Sequence, residues 1–286
     1  MDEVTTGSEA RQIVRRARCA GCSIGLVPTM GYLHEGHLSL VAAARQETDL
    51  VVTSIFVNPT QFGPNEDFER YPRDMERDRQ LAAATGTDLL VVPSGTEMYP
   101  DGPQGQRVWV EPGPLAKYLC GASRPGHFRG VATVVAKLFA MLEPDRAYFG
   151  EKDFQQAAII RRMARDLGFP VEVRTVPTVR EASGLARSSR NVYLSGEERE
   201  QASVLRAALL EAAGNIAAGE RAPSALEAAI RSRIASGAPA ARVDYVSVVD
   251  AQTLQPLEGY IERDVLVALA VYFGGTRLID NITVSP

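Results

Sequence analysis

The sequence predicts an α/β protein with a parallel sheet, followed by a smaller α+β part, and two observations lead to this fold class. Over the first 177 residues, short β-branched runs alternate with segments of helical spacing, which is typical of parallel strands joined by crossover helices. After residue 177, two alanine-rich helical segments precede two apolar runs. We therefore expect two domains, residues 1–177 and 178–286.

The first domain is expected to contain four strands and four crossover helices. The strands are predicted at Ser23–Val27, Leu50–Val57, Asp88–Val92 and Val171–Val176. The helices are predicted at Leu38–Gln46, Arg73–Ala84, Val131–Leu142 and Phe154–Leu167. Each helical segment mixes apolar and charged residues at helical spacing, so one face can cover the sheet. The glycine-rich segment Gly121–Gly126 is expected to be a flexible loop.

The second domain is predicted to begin with a capped helix. Ser195 and Glu198 have the spacing of a capping box, in which each side chain binds a backbone N–H of the other. Helices are then expected at Arg199–Ala218 and Ser224–Ala235, and strands at Val243–Val249 and Val265–Phe273.

Composition and charge exclude several classes of protein. The chain has 31 Lys and Arg against 35 Asp and Glu, a net charge of −4, which gives no general attraction to nucleic acid or to a membrane surface. Residues Met1–Cys19 are charged, so we expect neither a signal peptide nor a membrane span. Three cysteines favour a reducing, cytoplasmic compartment, and Cys19 and Cys22 lack the second ligand pair that a zinc site needs.

Two histidines three residues apart, His34 and His37, follow the first predicted strand where a helix is expected to begin. Residues at this spacing share one helix face, and the amino terminus of a helix favours anions. A distant cluster of serines and arginines, Gly184–Asn191, suits the same kind of ligand. Together they predict phosphate chemistry; the alternative is a pair of surface histidines. The spacing is one residue short of the zinc-hydrolase pattern H-E-x-x-H, which disfavours that class.

Three further polar clusters are candidates for ligand contacts. Lys152 follows an apolar strand end and can approach phosphate, while Asp153 can either bind ribose hydroxyls or cap a helix. Asn58 and Gln61 follow another strand and carry amides that suit a polar substrate. For Asn58, a turn before Pro59 is the alternative explanation.

The fingerprints of three common enzyme classes are absent. The chain contains no G-x-G-x-x-G, no G-x-x-x-x-G-K-[ST] and no G-x-S-x-G. Their absence weakens the hypotheses of a dinucleotide-binding, a P-loop and an esterase site.

Ordered over nearly the whole chain, these motifs resemble the pantothenate synthetase family, the pantoate–β-alanine ligases of the histidine-motif nucleotidyltransferase superfamily. The resemblance rests on Pro28–Gly31 with His34–His37, Phe56–Gly63, Tyr71–Arg73, Gly126–Phe128, Phe149–Gln156, Ser188–Asn191 and Thr276–Asn281.

The resemblance implies a Rossmann-like first domain, a smaller second domain that closes over the site, and a homodimer. It implies an AMP-forming ligase of pantothenate and coenzyme A biosynthesis that uses ATP and Mg²⁺. Pantoate would first form pantoyl adenylate and pyrophosphate, and β-alanine would then displace AMP to give pantothenate. The metal would be held largely by ATP phosphates, because Mg²⁺ sheds its water reluctantly.

The resemblance also assigns roles to residues. The catalytic groups around the triphosphate would be His34, His37, Lys152, Ser188, Ser189 and Arg190. Gly150 and Asp153 would bind ribose, Val179 would lie by adenine, and Met30 would contact both ATP and pantoate. The pantoate pocket would also use Asn58, Gln61 and Gln156. Arg124 and His127 would lie on the β-alanine side, and Asp78 is a candidate for an outer metal contact.

The chain departs from the family pattern at two positions. Relatives commonly have Met where this chain has Arg187, and often Asp where it has Ser183. Arg187 either adds a phosphate contact or points to solvent. Two alternative functions stay open: a related nucleotidyltransferase that moves AMP onto a phosphate acceptor, and a module that binds ATP without turnover.

Overall fold

A computed structural model describes residues 1–286, and its first part is built on a six-stranded parallel sheet. The strand order is β1-β4-β3-β2-β5-β6, and every neighbouring pair is parallel. The strands are β1 (Asp2–Val4), β2 (Ile24–Thr29), β3 (Leu50–Ile55), β4 (Leu89–Val91), β5 (Arg146–Gly150) and β6 (Glu172–Val176). The predicted α/β fold class is therefore confirmed.

Seven α-helices accompany this sheet. They are α1 (Gly7–Cys19), α2 (Glu35–Glu47), α3 (Met75–Thr85), α4 (Gly95–Met98), α5 (Cys120–Ser123), α6 (His127–Leu142) and α7 (Phe154–Asp166). Short 3-10 helices occupy Pro59–Gln61, Pro103–Gly105, Gly113–Ala116 and Glu151–Asp153. None of the helices combines the length and the apolar character that crossing a membrane requires.

The four predicted strands and the predicted crossover helices are all present, with ends shifted by a few residues. The first 22 residues, for which we expected no element, form β1 and α1. Helix α1 is stabilised by Ala10 and Val14, one turn apart and buried on the same face. The predicted loop Gly121–Gly126 is partly helical, because α5 includes Gly121, whose missing Cβ lets the chain pack against the carbonyl of Ala116.

The C-terminal part contains a three-stranded antiparallel sheet and three helices, which confirms the predicted α+β character. Its strands are β7 (Arg242–Asp250), β8 (Val265–Phe273) and β9 (Thr276–Val284), in the order β7-β8-β9. Its helices are α8 (Gly196–Gln201), α9 (Val204–Ala217) and α10 (Pro223–Gly237), and a 3-10 helix occupies Ser189–Tyr193. The capping box of Ser195 and Glu198 is confirmed, but the single helix predicted from Arg199 is two helices, α8 and α9.

By their internal contacts, the residues fall into two compact units. The first unit is Met1–Gly113, Arg124–Glu151 and Gln156–Pro177, and the second unit is Pro114–Ser123, Lys152–Gln155 and Thr178–Pro286. Two short stretches from the first 177 residues thus belong to the second unit. The two-domain boundary after residue 177 stays a prediction, since a contact unit need not be an independently folding domain.

Candidate functional site

The first unit has a topological switch point between β2 and β5. From β2 the chain builds the sheet through β3 and β4 on one side, and β5 and β6 then extend it on the other. In open parallel sheets, ligands bind outside the carboxyl ends of the strands at such a point. Strand β2 ends at Thr29 and β5 ends at Gly150. The histidine motif and Gly150 therefore follow the two strands that border the switch point.

The turn after β2 has an uncommon backbone conformation that buried hydrogen bonds hold in place. Gly31 has φ of 80° and Tyr32 has φ of 50°, a region that few non-glycine residues adopt. The carboxylate of Asp78 accepts the backbone N–H of Tyr32 at 2.7 Å and that of Leu33 at 2.6 Å. A short path thus leads from the strand to the histidines.

Asp78 has a different place from the one predicted for an outer metal contact. Its side chain is buried, and both of its oxygens accept backbone N–H groups of the turn. Burial raises the pKa of this carboxyl, although the hydrogen bonds from Leu33 and Tyr32 act in the opposite direction. We therefore assign Asp78 to holding the turn, not to a metal.

His34 and His37 lie together at the start of α2. His34 is the N-cap residue and its Nδ1 accepts the N–H of Gly36 at 3.1 Å, while the Nδ1 of His37 accepts the N–H of His34 at 3.4 Å. The ring centroids are 4.0 Å apart. A neutral imidazole whose Nδ1 accepts carries its proton on Nε2. Both rings are therefore hydrogen-bond donors through Nε2, which suits a ligand with anionic oxygens.

Gln61 lies at the end of the 3-10 helix after β3, and Asn58 fixes it. The amide of Asn58 donates to the Gln61 Oε1 at 3.1 Å and to the Gly130 carbonyl at 3.2 Å. Its own oxygen accepts from Thr60 and from the Tyr99 hydroxyl, each at 2.9 Å. Asn58 was predicted to contact pantoate, but it is 1% exposed and its amide is fully engaged within the protein. Its role is to position Gln61.

Gln61 is close to a second residue of the predicted pocket. Its Nε2 lies 3.1 Å from the sulfur of Met30, the residue that follows β2. The partly buried side chain of Gln156, on α7 of the same unit, forms no hydrogen bond inside the protein. The structure thus brings Met30 and Gln61 together and keeps the Gln156 amide uncommitted.

Arg124 and His127 hold the backbone of Gln61. His127 Nδ1 lies 2.7 Å from the Gln61 carbonyl oxygen, and an Arg124 nitrogen donates to the same oxygen at 3.2 Å. Arg124 also pairs with Glu66 through two bonds of 2.6 and 2.7 Å. Burial opposes the ionisation of Glu66, but Arg124 lowers its pKa to about 2. Sequence reasoning missed Glu66, since it lies 58 residues from Arg124.

In the second unit, Lys152 and Asp153 form an ion pair. The Lys152 Nζ lies 3.7 Å from Asp153 Oδ2, and both residues belong to the 3-10 helix that precedes α7. The Lys152 side chain is 20% exposed and that of Asp153 is 45% exposed. A cation and a carboxylate are thus paired where the sequence predicted contacts to phosphate and ribose.

The serine and arginine cluster of the second unit forms a 3-10 turn with a buried support. Ser188 caps this turn by accepting the N–H of Arg190 at 3.3 Å, and Ser189 is buried within it. The buried Asn191 donates to Glu181 and to the Ala186 carbonyl, each at 3.1 Å. These bonds fix the backbone that carries the two serines and Arg190.

Arg187 points to a carboxylate of its own unit. Its guanidinium lies 3.6 Å from Glu181, which also accepts two bonds from Arg199 at 2.7 and 3.0 Å. Burial opposes the ionisation of Glu181, but its hydrogen bonds to Arg199 and Asn191 lower the pKa. The N–H of Arg187 binds the Val179 carbonyl at 2.9 Å. Neither of the predicted places of Arg187 includes this ion pair.

The residues of the chain offer no ready-made cage for a metal ion. No group of three or more His, Cys, Asp or Glu side chains is arranged to hold one. This donor set fits a cation that arrives on the phosphates of a nucleotide and keeps most of its water, as Mg²⁺ does.

Comparisons with known proteins cover the whole of this architecture. Pantothenate synthetases from Moorella thermoacetica and Acetivibrio thermocellus are 58% and 55% identical to the chain, over 99% of it and 98% and 99% of their own lengths. The crystal structure of pantothenate synthetase from Thermus thermophilus matches with a TM-score of 0.92 at 51% identity, covering 100% of both chains.

A second solved structure was determined with ligands. It is the pantoate-beta-alanine ligase from Francisella tularensis complexed with beta-gamma ATP and beta-alanine, with a TM-score of 0.78 at 36% identity over 99% of this chain and 97% of that one. The sequence model of the pantoate-beta-alanine ligases matches residues 2–283. The chain therefore belongs to the pantoate-beta-alanine ligase family.

Proposed function

We propose that this protein is an AMP-forming ligase that joins pantoate to β-alanine at the expense of ATP. The observation that carries the proposal is the pair of imidazoles, 4.0 Å apart, at the helix start beside the switch point. Two Nε2 donors and a helix amino terminus are arranged for an anionic ligand such as a triphosphate. Membership of the family supports the identity of the substrates.

The reaction has two steps. A pantoate carboxylate oxygen attacks the α-phosphorus of ATP, a phosphorus–oxygen bond forms, and pyrophosphate leaves. The amine of β-alanine then attacks the carboxyl carbon of the pantoyl adenylate, loses a proton, and AMP leaves with the bonding electron pair. Activation is needed because a free carboxylate is a poor acyl donor. The protein has mainly to orient the reactants and to stabilise the developing negative charge.

The residues of the first unit take the following roles. His34 and His37 donate hydrogen bonds to ATP phosphate oxygens, and Gly150 lies by the ribose. Gln61 and Gln156 bind pantoate, with the Met30 backbone alongside. Arg124 and His127 act on the β-alanine side by holding the Gln61 carbonyl, which they contact.

The residues of the second unit supply the other charges. Lys152, Ser188, Ser189 and Arg190 bind phosphate, and they stabilise the charge on the α-phosphate and on departing pyrophosphate. Asp153 binds ribose hydroxyls and Val179 lies by adenine. Support comes from the rigid setting of the serine turn, which Asn191 and Glu181 hold together.

Four further features belong to the proposal. Mg²⁺ accompanies ATP as the phosphate-bound cation and neutralises phosphate charge when bound. The protein is a cytoplasmic homodimer, as the family resemblance implies. The chain has two domains with a boundary after residue 177, and the second domain closes over the site.

One assay in two stages tests the proposal. With pantoate present and β-alanine omitted, labelled pyrophosphate should exchange into ATP; after β-alanine is added, AMP and the amide should form in equal amounts. A folded protein that fails to exchange would contradict the adenylate mechanism. Exchange without amide would leave the adenylate standing and contradict β-alanine as the acceptor.

A further inference from the structure

Strand β9 carries a sequence motif that has no part in the chemistry proposed above. The motif, Thr276–Asn281, lies on an edge strand of the C-terminal sheet. The second unit also contains two short stretches from the earlier part of the chain, residues 114–123 and 152–155, and the latter begins with Lys152. What fastens these stretches to the unit decides where Lys152 lies.

Two side chains of β9 are directed to the two stretches. Arg277 and Asn281 are four residues apart, so they lie on the same face of the strand, about 13 Å from each other. Asp280 lies on the opposite face and is buried, where it pairs with Arg180 through bonds of 2.6 and 2.9 Å. The polar residues of the motif therefore serve both faces of one strand.

Asn281 holds the backbone of Lys152. Its Nδ2 donates to the Lys152 carbonyl at 2.8 Å, and its own N–H is fixed by Asp280 at 2.8 Å. With the Lys152 backbone anchored, only its side-chain torsions determine where the ammonium lies. A supporting hydrogen bond of this kind holds a functional group within the tight tolerance that catalysis needs.

Arg277 holds the neighbouring stretch. Its guanidinium binds Asp244 at 2.8 and 3.0 Å and contacts the buried sulfur of Cys120 at 3.6 Å through both terminal nitrogens. The two stretches are joined, since Gln155 Nε2 donates to the carbonyls of Leu115 and Tyr118, each at 2.8 Å. Arg277 and Asn281 thus fasten a single connected structure at two points.

We propose that Asn281 is a positioning residue for the ATP chemistry, which places Lys152 against phosphate through the Lys152 carbonyl, with Arg277 supporting the same structure at Cys120. The inference rests on the proposed function, because it assumes that Lys152 binds the phosphates of ATP. It adds a residue 129 positions away in sequence to those that determine the use of ATP.

The test is the Asn281→Asp variant, which replaces the amide donor by a carboxylate of nearly the same shape, facing a carbonyl. In pyrophosphate exchange we expect the KM for ATP to rise about tenfold or kcat to fall about tenfold, with the KM for pantoate within about twofold of wild type. Asn215→Asp, the same change at a half-exposed position of α9, is the matched control and should alter neither. A merely structural role would change both KM values together with the thermal midpoint.

A second variant separates the hydrogen bond from packing. Asn281→Gln keeps an amide donor, and its effect on ATP kinetics should be smaller than that of Asn281→Asp. If both variants are equally impaired, or if Asn281→Asp has wild-type ATP kinetics, the positioning role is wrong. This comparison also applies if Asn281→Asp unfolds: a folded Asn281→Gln with normal ATP kinetics supports the inference, and one with a tenfold loss overturns it.

Lysine labelling distinguishes failure of the inference from failure of the proposed function. The chain has three lysines, Lys117, Lys137 and Lys152, so acetylation by acetic anhydride can be followed at each by mass spectrometry. A non-hydrolysable ATP analogue should protect Lys152 in the wild type, and protection at the same analogue concentration should fall in Asn281→Asp. No protection in the wild type would contradict the proposed ATP contact itself. Protection that is equal in both proteins would contradict only the role of Asn281.

Discussion

The carboxylate of Asp78 accepts the backbone N–H of Tyr32 at 2.7 Å, and Tyr32 is a non-glycine residue with φ of 50°. This bond joins helix α3 to the turn that precedes the histidines. A residue held in a sparsely populated backbone region costs free energy of order 1–3 kcal/mol, and it persists only where its surroundings determine it. The buried carboxylate therefore stabilises the conformation on which the place of His34 depends.

Replacing Asp78 by asparagine should loosen this turn. Asparagine offers one acceptor oxygen where two N–H groups must be bound, and its NH₂ would face the second N–H. We expect the free energy of unfolding, measured in urea, to fall by about 2 kcal/mol, and pyrophosphate exchange to slow about tenfold. Glu76→Gln, the same chemical change at an exposed position of α3, should alter stability by less than about 0.5 kcal/mol. Equal effects of the two substitutions would contradict the assigned role.

The fold and the ligand-contacting motifs could be predicted because their signals are local. Hydrophobic periodicity over a few residues indicated the strands of the first unit and the capping box at Ser195. The ends of parallel strands meet at one sheet edge, so the histidine motif and Gly150 could be placed near a ligand without coordinates.

The supporting residues could not be predicted, because their partners are remote in sequence. Asp78 is 46 residues from Tyr32, and Asn281 is 129 residues from Lys152. A side chain's spacing within its own strand or helix does not reveal such a partner. Asn58 illustrates the consequence: its position after a strand suggested a substrate contact, but buried bonds to Tyr99 and Gly130 give it a positioning role.

The ion pair of Glu66 and Arg124 predicts a specific acid sensitivity. The pKa of Glu66 is lowered in the folded protein to about 2 from an ordinary value of 4.5, so the folded state binds its proton less readily than the unfolded chain. The resulting stabilisation is present above pH 4.5 and is lost as pH falls towards 2. It amounts to about 3 kcal/mol at most, since the side chain is partly exposed.

Unfolding of Glu66→Gln in urea should therefore differ from wild type most above pH 5, and the difference should shrink as pH is lowered to 2.5. Glu69→Gln, an exposed glutamate three residues away, provides the control and should show no such pH-dependent difference. If the difference between Glu66→Gln and wild type were constant over this range, the ion pair would not be its source.

Gly130 allows helix α6 to approach the segment that carries Gln61. A Cβ at Gly130 would lie 2.6 Å from the carbonyl carbon of Thr60 and 2.8 Å from the Gln61 nitrogen, and these are backbone atoms that cannot move aside cheaply. Gly130→Ala should displace Gln61, raise the KM for pantoate about tenfold, and lower stability by about 2 kcal/mol.

The matched control for Gly130→Ala is Gly214→Ala in helix α9. A Cβ at Gly214 would meet nothing within 4 Å, so alanine there should leave activity unchanged and raise stability by up to about 1 kcal/mol. Wild-type pantoate kinetics in Gly130→Ala would show that the close approach of α6 does not determine the place of Gln61.

Arg187 stands where relatives commonly have methionine, and its ion pair with Glu181 predicts that it does not take part in binding ATP. The guanidinium is 3.6 Å from a carboxylate that Arg199 also binds at 2.7 Å, so Glu181 keeps a partner when Arg187 is removed. Arg187→Met should change the KM for ATP by less than about threefold and stability by less than about 1 kcal/mol.

Arg190→Met is the contrasting variant, because the same side-chain replacement three residues later removes a proposed phosphate ligand. It should reduce kcat/KM for ATP by at least about a hundredfold while the unfolding midpoint stays close to that of wild type. A tenfold change in the ATP requirement of Arg187→Met would mean that Arg187 leaves Glu181 for a phosphate when ATP binds. In that case the departure from the family pattern would be a functional change, and the ion pair would belong only to the ligand-free protein.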